Sequence, residues 1–137
     1  MSARRPAVAG YSGKPTIDKL GIKSGMRVAV LGLEAEAAFL TELRERDPAV
    51  RDARPLRDTD IVLLRVDSER ELSRLATLER TIRREGAIWV VWPKGQSHIK
   101  EDMIRAPALR QRLVDIKVCA FSDTFSALKL VIPVARR

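Results

Sequence analysis

The sequence predicts an α/β domain with helices on both faces of a mostly parallel sheet, closed by a C-terminal antiparallel hairpin. Three observations carry this. Short, continuous apolar runs of strand length recur at Met26 to Leu31, Asp60 to Val66 and Ala87 to Trp92, the pattern of strands buried on both faces. Segments rich in helix formers, with apolar residues at helical spacing, lie between them. Two further strand-like runs, Val114 to Phe121 and Ser126 to Val134, flank a turn at Ser122-Asp123-Thr124, as a hairpin requires. The alternation of strand and helix implies three layers.

Each element has a local reason. Residues 1–10 read as a flexible arm, and Gly10-Tyr11-Ser12-Gly13-Lys14-Pro15 as a turn-rich loop. Thr16 is placed to cap a short helix, Ile17 to Leu20, that Gly21 stops. Ser24-Gly25 then turns the chain into the first strand. Ala35 to Arg46 is helical, with Phe39, Leu40 and Leu43 on one face, and ends before Asp47-Pro48. A short second strand is expected near Val50. After the strand at 60–66, Ser68 and Glu71 have capping-box spacing. Leu72, Leu75, Leu78 and Ile82 continue a helix to Glu85, with Gly86 as its stop and Glu79–Arg83 as an i,i+4 pair. The run Ala87 to Trp92 leads into the loop 93–97. A weaker helix spans about Lys100 to Ile104, and Pro107 is expected to break or restart it before Leu113.

Composition narrows the class of function. The 137 residues, 45% of them hydrophobic, suffice for one core, so residues 11–137 are expected to form a single domain. No run of about 18 apolar residues exists, and Met1 to Gly10 lacks an apolar signal region; a cytoplasmic protein without membrane association is expected. One cysteine, Cys119, and one histidine, His98, leave no basis for a disulfide or a Cys/His metal site. Cys119 stands in an apolar strand, where the residue is usually inert core, and His98 is expected at an exposed helix start. Glu101-Asp102 are first-turn acids whose side chains, as helix neighbours, point apart. The formal charge is +8, with the basic excess in 1–27 and 87–137. Such a surplus attracts polyanions, yet aromatics are only 4% and Arg4-Arg5 and Arg136-Arg137 are short tails. Nucleic acid is therefore an open partner and not the favoured one. Arg80, Arg83 and Arg84 suit either an acidic partner or a solvated face.

Three phrases resemble class I methyltransferases, whose Rossmann-like sheet ends in an antiparallel hairpin. Gly21-Ile22-Lys23-Ser24-Gly25-Met26-Arg27-Val28 is similar to the lead into their first strand, Asp60-Ile61-Val62-Leu63-Leu64 to the fourth, and Arg84-Glu85-Gly86-Ala87-Ile88-Trp89-Val90-Val91 to the fifth. The resemblance implies a reduced methyltransferase-like topology lacking one helix and the third strand. Nearly the whole chain also resembles a bacterial family of small proteins of unknown function, through Gly10 to Pro15, Trp92-Pro93-Lys94, and Val114 to Cys119 leading into Ala127 to Val131. That second resemblance supplies no activity.

The cofactor positions depart from the methyltransferase pattern. Val30 stands where the first strand carries an acid, Gly32 is followed by Leu33-Glu34-Ala35 in place of further glycines, and the region of Arg54 offers a cation where a carboxylate would meet ribose. These departures favour a non-catalytic binding or regulatory module, with no catalytic residue and no cofactor assigned. The alternatives are a divergent S-adenosylmethionine-dependent methyltransferase or other nucleotide-using transferase, and a basic nucleic-acid-binding accessory protein. The candidate site is the crevice beyond the carboxyl ends of the strands, bordered by Gly32, Glu34, Trp92 and Lys94, with Tyr11, Ser12 and Lys14 folded over it. An anionic small molecule would be held by Lys94, Lys14 and helix amides against Tyr11 or Trp92. The competing reading makes Trp92 a strand terminator packed on a neighbour, Lys94 a solvated residue and Tyr11 an anchor.

Overall fold

A computed structural model describes residues 15–46 and 55–137. The expectations for the arm, for Tyr11, Ser12 and Lys14, for the strand near Val50 and for Arg54 fall outside these residues.

Five strands form one sheet in the order β1-β2-β3-β5-β4. They are β1 (Val28–Leu31), β2 (Thr59–Arg65), β3 (Ile82–Pro93), β4 (Val114–Ala120) and β5 (Phe125–Val131). The first three run parallel, while β5 is antiparallel to both of its neighbours. The expected hairpin is therefore present, and β5 slots between β3 and β4. Val28 to Leu31 is buried at every position, which accounts for the unbroken apolar run.

Helices cover both faces. On one, α1 (Thr16–Lys19), α2 (Ala37–Arg46) and the residues beside them pack Ile17, Leu20, Leu33, Phe39, Leu40 and Leu43 onto Val30, Leu63 and Trp89. On the other, a 3-10 helix (Glu69–Arg74), α3 (Leu75–Glu79) and α4 (Glu101–Arg110) pack Leu72, Leu75, Leu78 and Ile104 onto Val62, Leu64 and Val90. Gly21 does stop α1, where its N–H bonds Asp18 O and that of Ile22 bonds Ile17 O, the paired closure of a Schellman turn. Thr16 is not a cap. Pro15 takes that position, and the Thr16 hydroxyl instead donates to Phe121 O at 3.1 Å, tying α1 to the hairpin.

Further expectations are corrected. The helix after Ser68 begins as a 3-10 turn, with the Glu71 carboxylate accepting from the Ser68 N–H at 3.0 Å, but it ends at Glu79. Residues 82–85 belong to β3, because Thr81 closes the last turn through its hydroxyl to Leu78 O and Ile82 pairs with Thr59. Glu79 and Arg83 accordingly do not pair: Arg83 reaches Asp60 at 3.0 Å and Glu79 faces Arg136 at 3.8 Å. Gly86 is a strand residue. Pro107 sits inside α4 without breaking it, since Ile104 and Ala108 are buried on either side and that packing offsets the one missing N–H. Glu101 and Asp102 converge on Arg105 through i,i+4 and i,i+3 contacts, and Arg105 Nε bonds Asp115 at 2.9 Å. The same guanidinium holds the Asp115 carboxyl below its ordinary range. This acidic pair is thus structural, pinning α4 to β4. Finally, the last strand ends at Val131, short of the expected Val134, which starts a 3-10 turn.

Candidate functional site

The carboxyl ends of β1, β2 and β3 lie side by side, because these strands are parallel and adjacent. Brought to that edge are the β1–α2 turn with Gly32 and Glu34, then Arg65 at the end of β2 with Asp67 just beyond, and Pro93 at the end of β3 with Lys94 following. Gly32 takes φ +83, and a Cβ there would lie 3.1 Å from the Arg65 Cβ. The glycine is required twice over, by its left-handed backbone and by the neighbouring strand. Glu34 is exposed and lines a recess of about 210 Å³ with Val30, Leu33, Leu40 and Arg44. That volume is below the roughly 300 Å³ at which whole-ligand sites begin.

Arg65 is the residue that sequence reasoning missed. It ends β2 directly after the apolar run Ile61 to Leu64, and its guanidinium stands 4.8 Å from the centroid of Phe125. Two of its nitrogens, Nε at 3.2 Å and Nη2 at 3.1 Å, bond Asp67 Oδ1. Phe125 meets Phe121 edge-on at 6.5 Å, and Phe121 meets Phe39 at 4.8 Å. All three phenylalanines of the chain are thus linked ring to ring, and cation–π attraction holds the Arg65 guanidinium on the last of them, Phe125. The available signal was a lone arginine after Asp60-Ile61-Val62-Leu63-Leu64; the aromatic partners come from distant segments and leave no local trace.

The residues expected at the crevice divide. Gly32 and Glu34 border it together, and Lys94 is half-buried at the next strand end, with its N–H bonded to Thr124 O at 2.9 Å. Trp92 is 6% exposed and packs with Ile99 and Ile104 on the face of α4, so its indole is a core group and no open wall. His98 is exposed ahead of α4. Val30, at the position where the resemblance calls for an acid, is buried in the α2-facing core. Among the described residues, no group of three His, Cys, Asp or Glu side chains comes together to hold a metal ion.

Cys119 is partly buried beside the α1 face. Burial pushes its thiol pKa up, and the opposing fields of Lys19 and Lys117 only partly offset this. Iodoacetamide is therefore expected to alkylate Cys119 slowly near pH 7.5, at a rate still climbing above about pH 9. A plateau below about pH 8 would contradict the burial.

Comparison with solved structures identifies the architecture. A S-adenosylmethionine-dependent methyltransferase from Aquifex aeolicus superposes with a TM-score of 0.58 at 13% identity, covering 85% of this chain and 87% of that one. Precorrin-6y C5,15-methyltransferase from Geobacter metallireducens gives 0.61 at 11% identity, with 86% of each chain covered. A chain from the Haloferax volcanii complex of a methyltransferase with its activator protein gives 0.62 at 12%, again with 86% of each covered. The chain has a Rossmann-like, methyltransferase-like fold; at these identities the likeness concerns fold alone. No protein-family model matches the chain, and no curated protein matches it in sequence. The resemblance to the small bacterial family thus rests on its phrases alone. Among the described residues, no helix is long and apolar enough to cross a membrane.

Proposed function

We propose that this is a divergent S-adenosylmethionine-binding protein of the methyltransferase fold, working in the cytoplasm, with its ligand at the carboxyl edge between β1 and β2. One observation carries the reading: charges of both signs, Arg65 and Asp67, stand together beside the Gly32 turn at the end of β2. The ligand is itself a zwitterion on a nucleoside, with a carboxylate, an ammonium, a ribose diol and an apolar base. Arg65 suits the carboxylate through its planar fork, Asp67 the ammonium, and Glu34 the ribose hydroxyls. Val30, Leu33 and Leu40, themselves buried core residues, floor the recess beside Glu34, and Lys94 adds a second cation at the next strand end. When bound, the sulfonium would supply an electrophilic methyl group, which the residues of this chain would hold and orient.

Differential scanning fluorimetry with S-adenosylhomocysteine tests this. At a hundredfold excess over Kd, native-state binding adds about 2.7 kcal/mol of stability, a rise of several degrees in a domain of this size. Arg65→Ala is expected to weaken binding at least tenfold, with Arg65→Lys intermediate. No rise at millimolar ligand would sink the proposal.

A second reading, a non-catalytic binding or regulatory module, is favoured by a different observation. Val30 replaces the first-strand acid, and the single turn glycine is already approached by Arg65. That reading expects no stabilisation by S-adenosylmethionine or S-adenosylhomocysteine.

A further inference from the structure

The opposite, amino-terminal end of the sheet assembles what the sequence scatters. Three segments meet there: the α3–β3 junction with Arg80, Arg83 and Arg84, the α4–β4 turn with Arg112, and the turn after β5 with Arg136 and Arg137. Hydrogen bonds lock them together. Arg84 Nη1 donates to the main-chain oxygen of Arg137 at 2.6 Å, and Arg136 Nη1 donates to Arg112 O at 2.7 Å. All six arginines are exposed. Among the described residues, ion pairs engage only two of them, Arg83 with Asp60 and Glu85 and Arg136 with Glu79. No Asp or Glu side chain among the described residues pairs with Arg80, Arg84, Arg112 or Arg137.

We propose that this edge binds the phosphate backbone of a nucleic acid without reading its sequence. The chemistry favours that partner. Guanidinium forks match phosphate oxygens in pairs, and the Arg84 and Arg136 hydrogen bonds already join the three segments, which lowers the entropy lost on binding. No Phe, Tyr or Trp lies in 79–85, 112–113 or 133–137, so no base is stacked. An acidic protein would need an apolar centre to its interface, and the one large apolar side chain exposed in these segments is Val134. The surface is separate from the carboxyl edge: β2 runs from Asp60 to Arg65 between them, roughly 17 Å at 3.3 Å per residue.

Fluorescence anisotropy with a labelled single-stranded RNA and a DNA duplex of about 20 units, across a salt series, tests the proposal. The protein is expected to bind both with little dependence on sequence, losing on the order of a hundredfold in affinity between about 50 and 200 mM salt for four phosphate contacts. The triple variant Arg80→Gln, Arg84→Gln, Arg137→Gln should bind at least tenfold more weakly and with a shallower salt slope. Should that variant melt early, Arg80→Glu alone, which touches no hydrogen-bond network, is expected to cost threefold or more. Four results overturn the idea: no binding; unchanged affinity in these variants; loss on Arg4→Gln, Arg5→Gln alone; or tighter binding of polyglutamate or anionic vesicles. Binding of S-adenosylhomocysteine is measured separately, so either proposal stands or falls without the other.

Discussion

Gly86→Ala is expected to destabilise the protein by about 2–3 kcal/mol, lowering Tm by about 10 °C. Four residues of β3, Arg83 to Gly86, oppose the single residue Asp60 between the paired positions Thr59↔Ile82 and Ile61↔Ala87. The chain must fold tightly against β2 to recover its register. A Cβ on Gly86 would stand 2.8 Å from Asp60 O and 3.1 Å from both Thr59 O and Arg83 O. Those neighbours are backbone, so no side chain can swing aside. The bulge is also fastened by Asp60, whose carboxylate accepts from the Arg27 N–H at 2.8 Å and from Arg83 at 3.0 Å. Moving the bulge therefore disturbs the starts of three strands. Thermal melting of Gly86→Ala beside wild type measures the effect, and a change below about 0.5 kcal/mol would show that the bulge yields freely.

Trp89→Ala is expected to cost about 3–5 kcal/mol, the range for emptying a large aromatic from a core. Trp89 is fully buried at the centre of the sheet, and its Nε1–H donates to Leu20 O at 3.0 Å. That bond joins β3 to the end of α1, across 69 residues of chain. The Lys129 ammonium lies 5.9 Å from the ring centroid, half-buried, with its pKa lowered by burial and by Lys117. Trp89→Phe retains most of the apolar volume and leaves the Leu20 carbonyl without this donor, a cost of about 1–3 kcal/mol. Urea midpoints of the two variants separate the packing and hydrogen-bond contributions. Equal destabilisation by Ala and Phe would mean the bond to Leu20, and not the ring, carries the effect.

These two residues also show what local sequence reveals. Ala87 to Trp92 is legible as a strand because both its faces are buried, Trp89 toward α1 and Ile88 and Val90 toward α3 and α4. The segment before it misleads. Leu72, Leu75, Leu78 and Ile82 keep helical spacing, yet Ile82 is buried as a strand residue opposite Thr59, and tertiary pairing overrides the period. Gly86 has the look of a helix stop because glycine serves both as a C-cap and at close backbone approach; only the distance to Asp60 O distinguishes them. Pro107 misleads in the opposite sense, as a breaker that burial of Ile104 and Ala108 overrules.

The candidate site was legible only where function follows chain position. Gly32 and Glu34 follow the first strand directly, so the turn identifies them. Arg65 rests on Phe125, contributed by the hairpin, and no short-range pattern announces that meeting. Trp92 failed as an open wall because the alternation of β3 turns it into the α4-side core. The arginine edge is long-range in the same way, since Arg84 and Arg137 are 53 residues apart in the chain and bonded in the fold.

On the proposed function, the Gly32 turn and the end of β2 together form a site for an S-adenosyl ligand. Amide-resolved NMR of the full chain titrated with S-adenosylhomocysteine tests it most directly. Saturable shifts are expected at Gly32, Leu33, Glu34 and Asp67, with the amino-edge residues Arg84 and Arg112 unmoved. Spectra unchanged at millimolar ligand, or shifts confined to residues away from this edge, would contradict it.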